Sequence, residues 1–335
     1  MESKYTLRDI AKLAGVSFKT VSRVINNESG VRKETREKVE KVLKEKNYTM
    51  NYYAKGLSQN KTFQILVVSD IDRDTYPVQR TSIIINNIIK EANHHKYKVI
   101  IINNLDELES NYMGVLEKGY YDGMIVLNSP RNNVLLEKVE KLGVPVIVSG
   151  KNDKFTYVGT DHETGAYNAV NYLLSIGAKN IRLLLDNPNW PTHDEKIKGF
   201  KRAHAEYNIP FNSNHIITGL HNSADVFQYV EKSFKEQKLP DGLIIFSDFA
   251  ALGAIKAVNK YHIPCPEKLN MISFGNMPIC TEIFPELSSI EQDFAQIGQS
   301  LLQKLLQKLN NEATSSYKIE TELIIRDSTR KKTQS

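Results

Sequence analysis

Apolar residues near the start of the chain recur at helical spacing in two short stretches separated by a glycine. The whole segment runs from Asp9 to Asn26, and Gly15 lies between the two stretches. The positions expected to face inward are Ile10, Ala11, Ala14, Val21 and Val24. Because glycine accepts the positive φ angle of a tight turn, the pattern predicts a helix, a turn and a second helix.

Polar residues mark where both predicted helices begin. Thr6 followed by Asp9 is a capping-box arrangement, and Ser17 is placed to cap the second helix. The second helix is expected to expose Ser17, Phe18, Lys19, Ser22 and Arg23. This layout is typical of a helix-turn-helix that places its second helix in the major groove of DNA. An ordinary pair of packed helices is the alternative.

From Phe63 onward, short β-branched runs alternate with amphipathic helical stretches. The predicted strands are 64–69, 98–103, 123–128, 145–150, 181–186, 215–219, 242–248, 270–275 and a last run at 318–328. The predicted helices are 82–92, 107–119, 132–143, 163–177, 195–207, 224–234, 249–261 and 294–309. Such alternation favours buried parallel strands. Two series predict two doubly wound subdomains that face each other, with a ligand cleft at the carboxyl ends of the strands.

Positive charge is concentrated at the N-terminal end. Residues 1–60 contain 13 Lys and Arg against 7 Asp and Glu, although the 335-residue chain has a net charge of only +5. A third helix is predicted at 33–46, and the segment 51–62 is expected to be a linker that becomes helical only against a surface. A basic head on a near-neutral body is typical of a module that binds DNA phosphates.

Several classes of protein are disfavoured by what the sequence lacks. The polar N-terminus does not resemble a secretory signal, and no apolar run approaches the ~20 residues that span a bilayer, so a cytoplasmic protein without membrane contact is expected. Cys265 and Cys280 are expected to be reduced, and the histidines show no metal-ligand spacing. Without a phosphate-binding glycine motif, a cofactor is not expected and an enzyme is poorly supported.

The sequence resembles the lactose-repressor (LacI/GalR) family of bacterial transcription regulators over nearly its whole length. The matching segments are 9–26 (DIAKLAGVSFKTVSRVIN), 34–39, 47–57, 121–128, 143–150, 158–167, 196–200, 247–257 and 289–299. The resemblance implies an all-α helix-turn-helix head, a hinge helix and an α/β body like that of periplasmic binding proteins. The implied bounds are 1–50 for the head, 51–62 for the hinge and 63–335 for the body, which divides into an N-subdomain (about 63–160 and 292–320) and a C-subdomain (about 161–291 and 321–330).

The resemblance also implies which residues contact DNA. They are Thr6, Ser17, Phe18, Lys19, Thr20, Ser22, Arg23, Asn26, Lys55 and Leu57. Phe18 and Lys19 occupy the positions that set operator preference, and Arg23 matches a base-contacting arginine, whose bidentate contact with guanine is worth about 1–3 kcal/mol. Leu57 matches a leucine that wedges into the minor groove. Lys55 stands where the family usually has arginine.

The implied effector cleft departs from the family's usual residues. Its candidates are Asp161, Trp190, Lys196, His221, Asp248 and Asn276. Lys196 replaces an arginine, and 273–276 reads SFGN instead of GFDD. Asp248 is expected to accept hydrogen bonds from ligand hydroxyls, with Lys196 and Asn276 as partners, while Trp190 either stacks on a sugar or packs in the protein. The polar loop at 70–80 is expected to close over the cleft.

The sequence therefore predicts a DNA-binding repressor of carbohydrate-utilisation genes, controlled allosterically by a sugar or sugar derivative. A homodimer would place two heads on a near-palindromic operator, and the lack of leucine heptads after the last strand favours a dimer over a tetramer. One alternative is a catabolite-control regulator with a phosphoprotein corepressor. Others are a solute-binding receptor, which the basic head disfavours, and an enzyme, for which no catalytic constellation is present.

Overall fold

The computed structural model describes residues 5–26, 28–48, 61–69, 78–102, 120–127 and 134–329. The chain divides into two compact units, Met1–Phe63 and Gln64–Ser335, which we call the head and the body. Some sequence expectations lie outside the described residues. They are the helix at 107–119, the linker at 51–60, the loop at 70–77, and the DNA contacts Lys55 and Leu57.

The head contains three helices, α1 (Leu7–Ala14), α2 (Phe18–Ile25) and α3 (Lys33–Glu45). The predicted capping box is confirmed, since Asp9 N donates to Thr6 Oγ1 at 3.3 Å and Thr6 N donates to Asp9 Oδ2 at 2.9 Å. Gly15 ends α1 with φ of 62°. The inward positions are buried as expected, and Val39 of α3 completes their core.

The body contains two sheets, each of six strands. The strands of the first sheet are β1 (Gln64–Ser69), β2 (Lys98–Ile102), β3 (Gly123–Leu127), β4 (Val146–Ser149), β5 (Tyr157–Thr160) and β11 (Tyr317–Ile319). They are parallel, in the order β11-β5-β4-β3-β1-β2. The helices of this subdomain are α4 (Val78–His94), α5 (Val134–Leu142) and α10 (Phe294–Leu309). The small Gly298 lets α10 approach the backbone of α4, because a Cβ atom there would lie 2.4 Å from Ile84 O.

The second sheet has the order β12-β10-β9-β8-β6-β7 and is parallel except for its edge strand β12. Its strands are β6 (Ile181–Leu184), β7 (Ile216–Ile217), β8 (Gly242–Ile245), β9 (Asn270–Gly275), β10 (Ser288–Glu291) and β12 (Glu322–Ile324). Its helices are α6 (His162–Ser175), α7 (Pro191–Glu206), α8 (Ser223–Lys235) and α9 (Asp248–Tyr261). Buried aliphatic residues lie on both faces, as expected for doubly wound sheets.

The chain passes between the two sheets after β5, after β10 and after β11. Three connecting segments therefore join the two subdomains. At these crossings, residues that follow strands of one sheet lie near residues that follow strands of the other sheet. At one crossing, Thr160 Oγ1 donates to Gln292 Oε1 at 3.1 Å. No helix in the ranges described above is long and apolar enough to cross a bilayer.

Two details of the strand prediction were wrong. The single last strand is two strands, β11 and β12, which belong to different sheets, and the predicted series did not include β5 or β10. In β10, Ser288 and Ser289 are fully buried. Ser288 Oγ accepts from Arg326 N at 2.8 Å, so side-chain hydrogen bonds take the place of the apolar pattern that identifies a strand.

Candidate DNA-binding head and effector site

Helix α2 presents one apolar face to the head core and one face to solvent. Val21 and Val24 are buried, whereas Phe18 is 51% exposed and Lys19 is also exposed. Ser17 Oγ accepts from Thr20 N at 3.1 Å, which confirms Ser17 as the cap of α2. A large exposed aromatic beside a lysine at a helix start is suited to contact with an outside partner.

The carboxyl end of α2 is held by a side chain from α3. Arg36 donates through Nη1 to Val24 O at 3.3 Å and through Nη2 to Glu28 O at 2.7 Å. Both acceptors follow or end α2, so the guanidinium fixes the direction in which this helix leaves the core. This contact of Arg36 was not predicted from the sequence.

The remaining predicted contacts of the head lie on or beside α2. Arg23 Nε is 3.9 Å from Glu28 Oε2, and both side chains are about half exposed, so this ion pair is weak. Asn26 Nδ2 donates to Ser22 Oγ at a long 3.4 Å. Thr6 is exposed and belongs to the α1 cap. These residues are close together, but their contacts with DNA stay predictions.

In the body, Lys196 of α7 is buried deeply for a lysine. Only 5% of it is exposed, and its Nζ lies 4.8 Å from the centroid of the Phe274 ring. Burial lowers the pKa of Lys196 to about 8, although the nearby carboxylate of Asp186 opposes that change. Gly199 allows this placement, because a Cβ atom there would lie 2.1 Å from Glu163 O of α6.

Asp186 and His193 form a close pair beside Lys196. The Nε2 atom of His193 is 2.5 Å from Asp186 Oδ1. Burial raises the pKa of Asp186, but the His193 hydrogen bond and the positive charges of Lys196 and Arg80 outweigh it and leave that pKa lowered. Burial is also the main reason that the pKa of His193 is lowered. The pair is therefore a neutral imidazole that donates from Nε2 to the carboxylate of Asp186.

His162, the first residue of α6, lies near the same groups. It is 8% exposed, and its ring centroid is 6.0 Å from that of Phe274. Its pKa is well below the usual value, chiefly because of burial and then because of positive charge on Lys196 and Arg80. The Nδ1 atoms of His162 and His193 are buried and have no hydrogen-bond partner among the described residues.

Arg80 brings the other subdomain into this group. It lies in the first turn of α4, its Nε atom is buried, and its charge acts on His162, Asp186 and Lys196. We call Arg80, His162, Asp186, His193 and Lys196 the inter-subdomain cluster. Beside it, Lys318 Nζ of β11 lies 2.5 Å from Glu195 Oε1 of α7, a second link between the subdomains.

The Asp248 carboxylate is hydrogen-bonded within its own subdomain. Oδ1 accepts from Ser273 Oγ at 2.5 Å and from Ser289 Oγ at 2.7 Å, while Oδ2 accepts from Met277 N at 2.8 Å. The residue is 1% exposed. The structure therefore does not support Asp248 as an acceptor for ligand hydroxyls; instead, it ties the start of α9 to β9 and β10.

The other candidate residues are also held locally. Asp161 caps α6, with Oδ1 accepting from Thr164 N at 3.1 Å, and Asn276 Oδ1 accepts from Arg326 Nη2 at 2.6 Å. Trp190 is half-buried directly before α7. His221 is exposed. Of the six predicted effector residues, Lys196 is the one that belongs to the inter-subdomain cluster.

Comparison with known proteins agrees with this architecture. Residues 6–51 match the model for bacterial regulatory proteins of the lacI family, and residues 170–329 match that for a periplasmic binding protein-like domain. The chain is 30% identical over 333 residues to the HTH-type transcriptional regulator MalR of Clostridium butyricum, covering 96% of this chain and 98% of that relative. This chain belongs to the LacI family. It is a DNA-binding transcriptional regulator and not an enzyme.

Other similarities place this LacI-family chain among regulators of several kinds. Catabolite control protein A of Priestia megaterium is 29% identical over 319 residues, which cover 93% of this chain and 94% of that protein. The Lac repressor dimer bound to operator and the anti-inducer ONPF has a TM-score of 0.74 at 24% identity, covering 97% and 99% of the two chains. A CelR–cellobiose complex has a TM-score of 0.73 at 21% identity, covering 97% and 100%. The two structures support the fold.

Sequence reasoning about the LacI-family cleft missed four members of the cluster: Arg80, His162, Asp186 and His193. The signal that identifies two of them, Asp186 and His162, is their position. Asp186 and His162 each stand two residues beyond the end of a parallel strand, β6 and β5. Side chains at such strand ends meet in the crevice of an α/β fold. Among the described residues, no group of three His, Cys, Asp or Glu side chains is arranged to hold a metal ion.

Proposed function

We propose that this LacI-family regulator represses carbohydrate-utilisation genes and is controlled by a small sugar-like effector bound between the two subdomains of its body. The observation that carries the proposal is the inter-subdomain cluster, in which the charge of Arg80 in one subdomain acts on Lys196 and Asp186 of the other. A ligand that contacts both sides changes the relative free energies of their open and closed arrangements. A solute-binding receptor shares the body, but the match at 6–51 favours a regulator.

The same proposal includes how the protein meets DNA. The chain acts in the cytoplasm as a homodimer, and two heads bind the half-sites of a near-palindromic operator. Phe18, Lys19 and Arg23 read the major groove, and Leu57 of the hinge enters the minor groove beside Lys55. Support comes from the exposed face of α2 and from the Lac repressor structure, which is described as a dimer bound to operator.

Control of repression follows from linkage between the two sites. If the effector alters the affinity for the operator, the operator must alter the affinity for the effector by the same factor, typically 5- to 150-fold, or about 1–3 kcal/mol. The CelR structure, described as a cellobiose complex, supports a sugar-like ligand. Lys196 is the predicted residue best placed to contact it.

A second candidate is a catabolite-control regulator whose corepressor is a phosphoprotein. Two relatives named catabolite control protein A, from Priestia megaterium and Staphylococcus epidermidis, favour it at 29% and 30% identity. In that case a phosphorylated carrier protein, and not a small ligand, would strengthen operator binding. Co-purification with the phosphorylated and unphosphorylated carrier separates the two candidates.

The experiment that tests the proposed function selects operator sequences from random duplex DNA with the purified full chain. We expect a near-palindromic sequence that binds at least about 10³-fold more tightly than scrambled DNA of equal length. Titration of the complex with sugars should then change its dissociation constant. A chain that binds all duplexes equally at physiological salt would contradict the proposal.

A further inference from the structure

Two histidines near the edge strand of the second sheet lie against each other in a group of four aromatic rings. His204 is in the last turn of α7, and His215 directly precedes β7. Their ring centroids are 5.4 Å apart. The His204 ring stacks on that of Phe200 at 4.2 Å, and the Phe211 ring meets His215 edge-on at 6.1 Å. We call these four residues the histidine–phenylalanine cluster.

The cluster joins α7 to the segment that leads into β7. Ile209 N donates to His204 O at 2.9 Å, and His215 N donates to Asn212 O at 2.9 Å. The strand β7 itself is only two residues long and pairs with β6 on one side. Because so short an edge strand makes few hydrogen bonds, the ring contacts of His215 contribute a large share of what holds it in place.

The surroundings of the two rings suit neutral histidines. A histidine cation carries an N–H group on each ring nitrogen and needs an acceptor for both. His204 Nδ1 donates to Phe200 O at 3.0 Å, whereas His215 Nδ1 is buried and has no hydrogen-bond partner among the described residues. If both rings were charged, they would also repel each other across 5.4 Å.

The charged groups that act on the cluster are positive. Arg182 of β6, which hydrogen-bonds to Tyr229 of α8, acts on His215. Lys201 of α7 lies with its Nζ atom 4.6 Å from the centroid of the Phe211 ring. These cations oppose the protonation of a nearby ring and do not stabilise it.

Burial lowers the pKa of both histidines. For His204 the Phe200 carbonyl opposes this change, and for His215 the charge of Arg182 adds to it. A ring with a lowered pKa binds its proton less readily when it is packed than when it is released. The packed arrangement is therefore fully stable above the ordinary pKa of 6.5, and it loses stability as the pH falls below that value.

We propose that the histidine–phenylalanine cluster is an acid-sensitive latch. While His204 and His215 are neutral, they hold residues 207–219 against α7, and protonation of either ring releases this segment together with β7. The release reaches the inter-subdomain cluster through the backbone, because Gly219 N donates to Asp186 O at 2.9 Å. The latch goes beyond the proposed function, since it requires neither DNA nor a ligand.

The test is hydrogen–deuterium exchange of the full chain, corrected for the intrinsic exchange rate at each pH. The amides that report release are those of Ile209, Gly219 and Leu185, of which the last donates to Ile217 O at 2.8 Å. We expect their opening equilibrium to rise about tenfold or more between about pH 7.5 and about pH 5.5, since each ring that protonates only when released contributes up to about tenfold. The strand β8, in the interior of the same sheet, should keep its protection.

Variants then assign the response to the two rings. His204→Phe and His215→Phe each keep an aromatic ring and remove a proton site, so the double variant should stay closed at about pH 5.5. His94→Gln is the matched control, because His94 is exposed on α4. His162 and His193 also have lowered pKa values, and since they remain in every variant, their response to acid is the same throughout. His215→Gln removes the same proton site, should the Phe variants fold poorly.

Three exchange results would overturn the proposal. They are an opening of residues 207–219 that does not depend on pH, a pH response that persists in the double variant, and an equal loss of protection in β8, which would indicate unfolding of the whole body. Proton NMR of the two rings in the parent chain is an independent measurement. Titration of both rings at or above 6.5 would also overturn the latch.

Discussion

Gly275 lies directly against the carboxylate of Asp248: a Cβ atom added at position 275 would stand 2.3 Å from Asp248 Oδ2. The glycine also has φ of +140°, which side chains rarely accept. The close approach lets Met277 N, two residues later, donate to the same oxygen at 2.8 Å. Gly275 thus leaves the space that the buried carboxylate of Asp248 occupies, and a change at either residue affects the other.

We expect Gly275→Ala to destabilise the body by about 2–4 kcal/mol, because it adds both backbone strain and a clash with Asp248. Urea unfolding of the variant measures this loss. Gly219→Ala is the control, since Gly219 has φ of +83° but no atom within 4 Å of the added Cβ. Equal losses in the two variants would show that strain alone acts and that the Asp248 contact is unimportant.

Lys196 is expected to reduce the stability of the protein without ligand at neutral pH. Its folded pKa of about 8 lies below the ordinary value of 10.5, so the charged form is disfavoured by folding. The penalty is complete below pH 8, decreases as the pH rises from 8 to 10.5, and is absent above that range. Lys196→Met should therefore stabilise the unliganded chain at pH 7 by on the order of 1–3 kcal/mol.

The measurement is the free energy of unfolding of both proteins between pH 7 and pH 10. The advantage of Lys196→Met should shrink across this range, while Lys201→Met should differ little from the parent chain at every pH. A Lys196→Met variant that is less stable at pH 7 would indicate that the contacts with Phe274 and Asp186 outweigh the burial of the charge. In that case the main role of Lys196 would be to stabilise the folded body.

Much of the architecture follows from local pattern, because its signals are short-range. The Thr6 and Asp9 capping box and the Ser17 cap occur where residue type and spacing require them. Parallel strands buried on both faces form continuous β-branched runs, which alternate visibly with helices. The exceptions are strands such as β10, where Ser288 and Ser289 are buried through hydrogen bonds.

The residues of the effector site are much harder to predict from the sequence pattern. The sequence shows that Asp248 and Asp186 both come after strands. It does not show that Asp248 accepts hydrogen bonds from Ser273, Ser289 and Met277 N, while the charge of Asp186 acts on Lys196. That difference depends on which strands are adjacent in the sheet and on how the helices pack against them. The resemblance to the family therefore selected Asp248, and Asp186 was overlooked.

Arg36 contacts the end of α2. We therefore expect that replacing Arg36 lowers both the stability of the head and its affinity for the operator. Arg36→Met deletes the hydrogen bonds to Val24 O and Glu28 O and leaves α2 free to fray at its carboxyl end. We expect a loss of about 1–3 kcal/mol in stability of the head, measured by thermal unfolding of the full chain with separate probes for its two units.

Lys41→Met is the control for Arg36→Met. Lys41 is exposed on the same helix and has the same charge, so both variants lose one unit of general attraction to DNA. If the two variants lost operator affinity equally, the role of Arg36 would be charge alone and not the positioning of α2.

Arg23 is expected to distinguish operator from other DNA. Its pair with Glu28 is long, at 3.9 Å, and partly exposed, so little free energy is needed to release the guanidinium to a base. Arg23→Ala should reduce affinity for the selected operator by about 1–3 kcal/mol and affinity for scrambled DNA by much less. Fluorescence anisotropy with both duplexes at one salt concentration measures the ratio. Glu28→Gln, which removes the competing carboxylate, should leave that ratio unchanged or raise it; equal losses for Arg23→Ala on both duplexes would make Arg23 a phosphate contact.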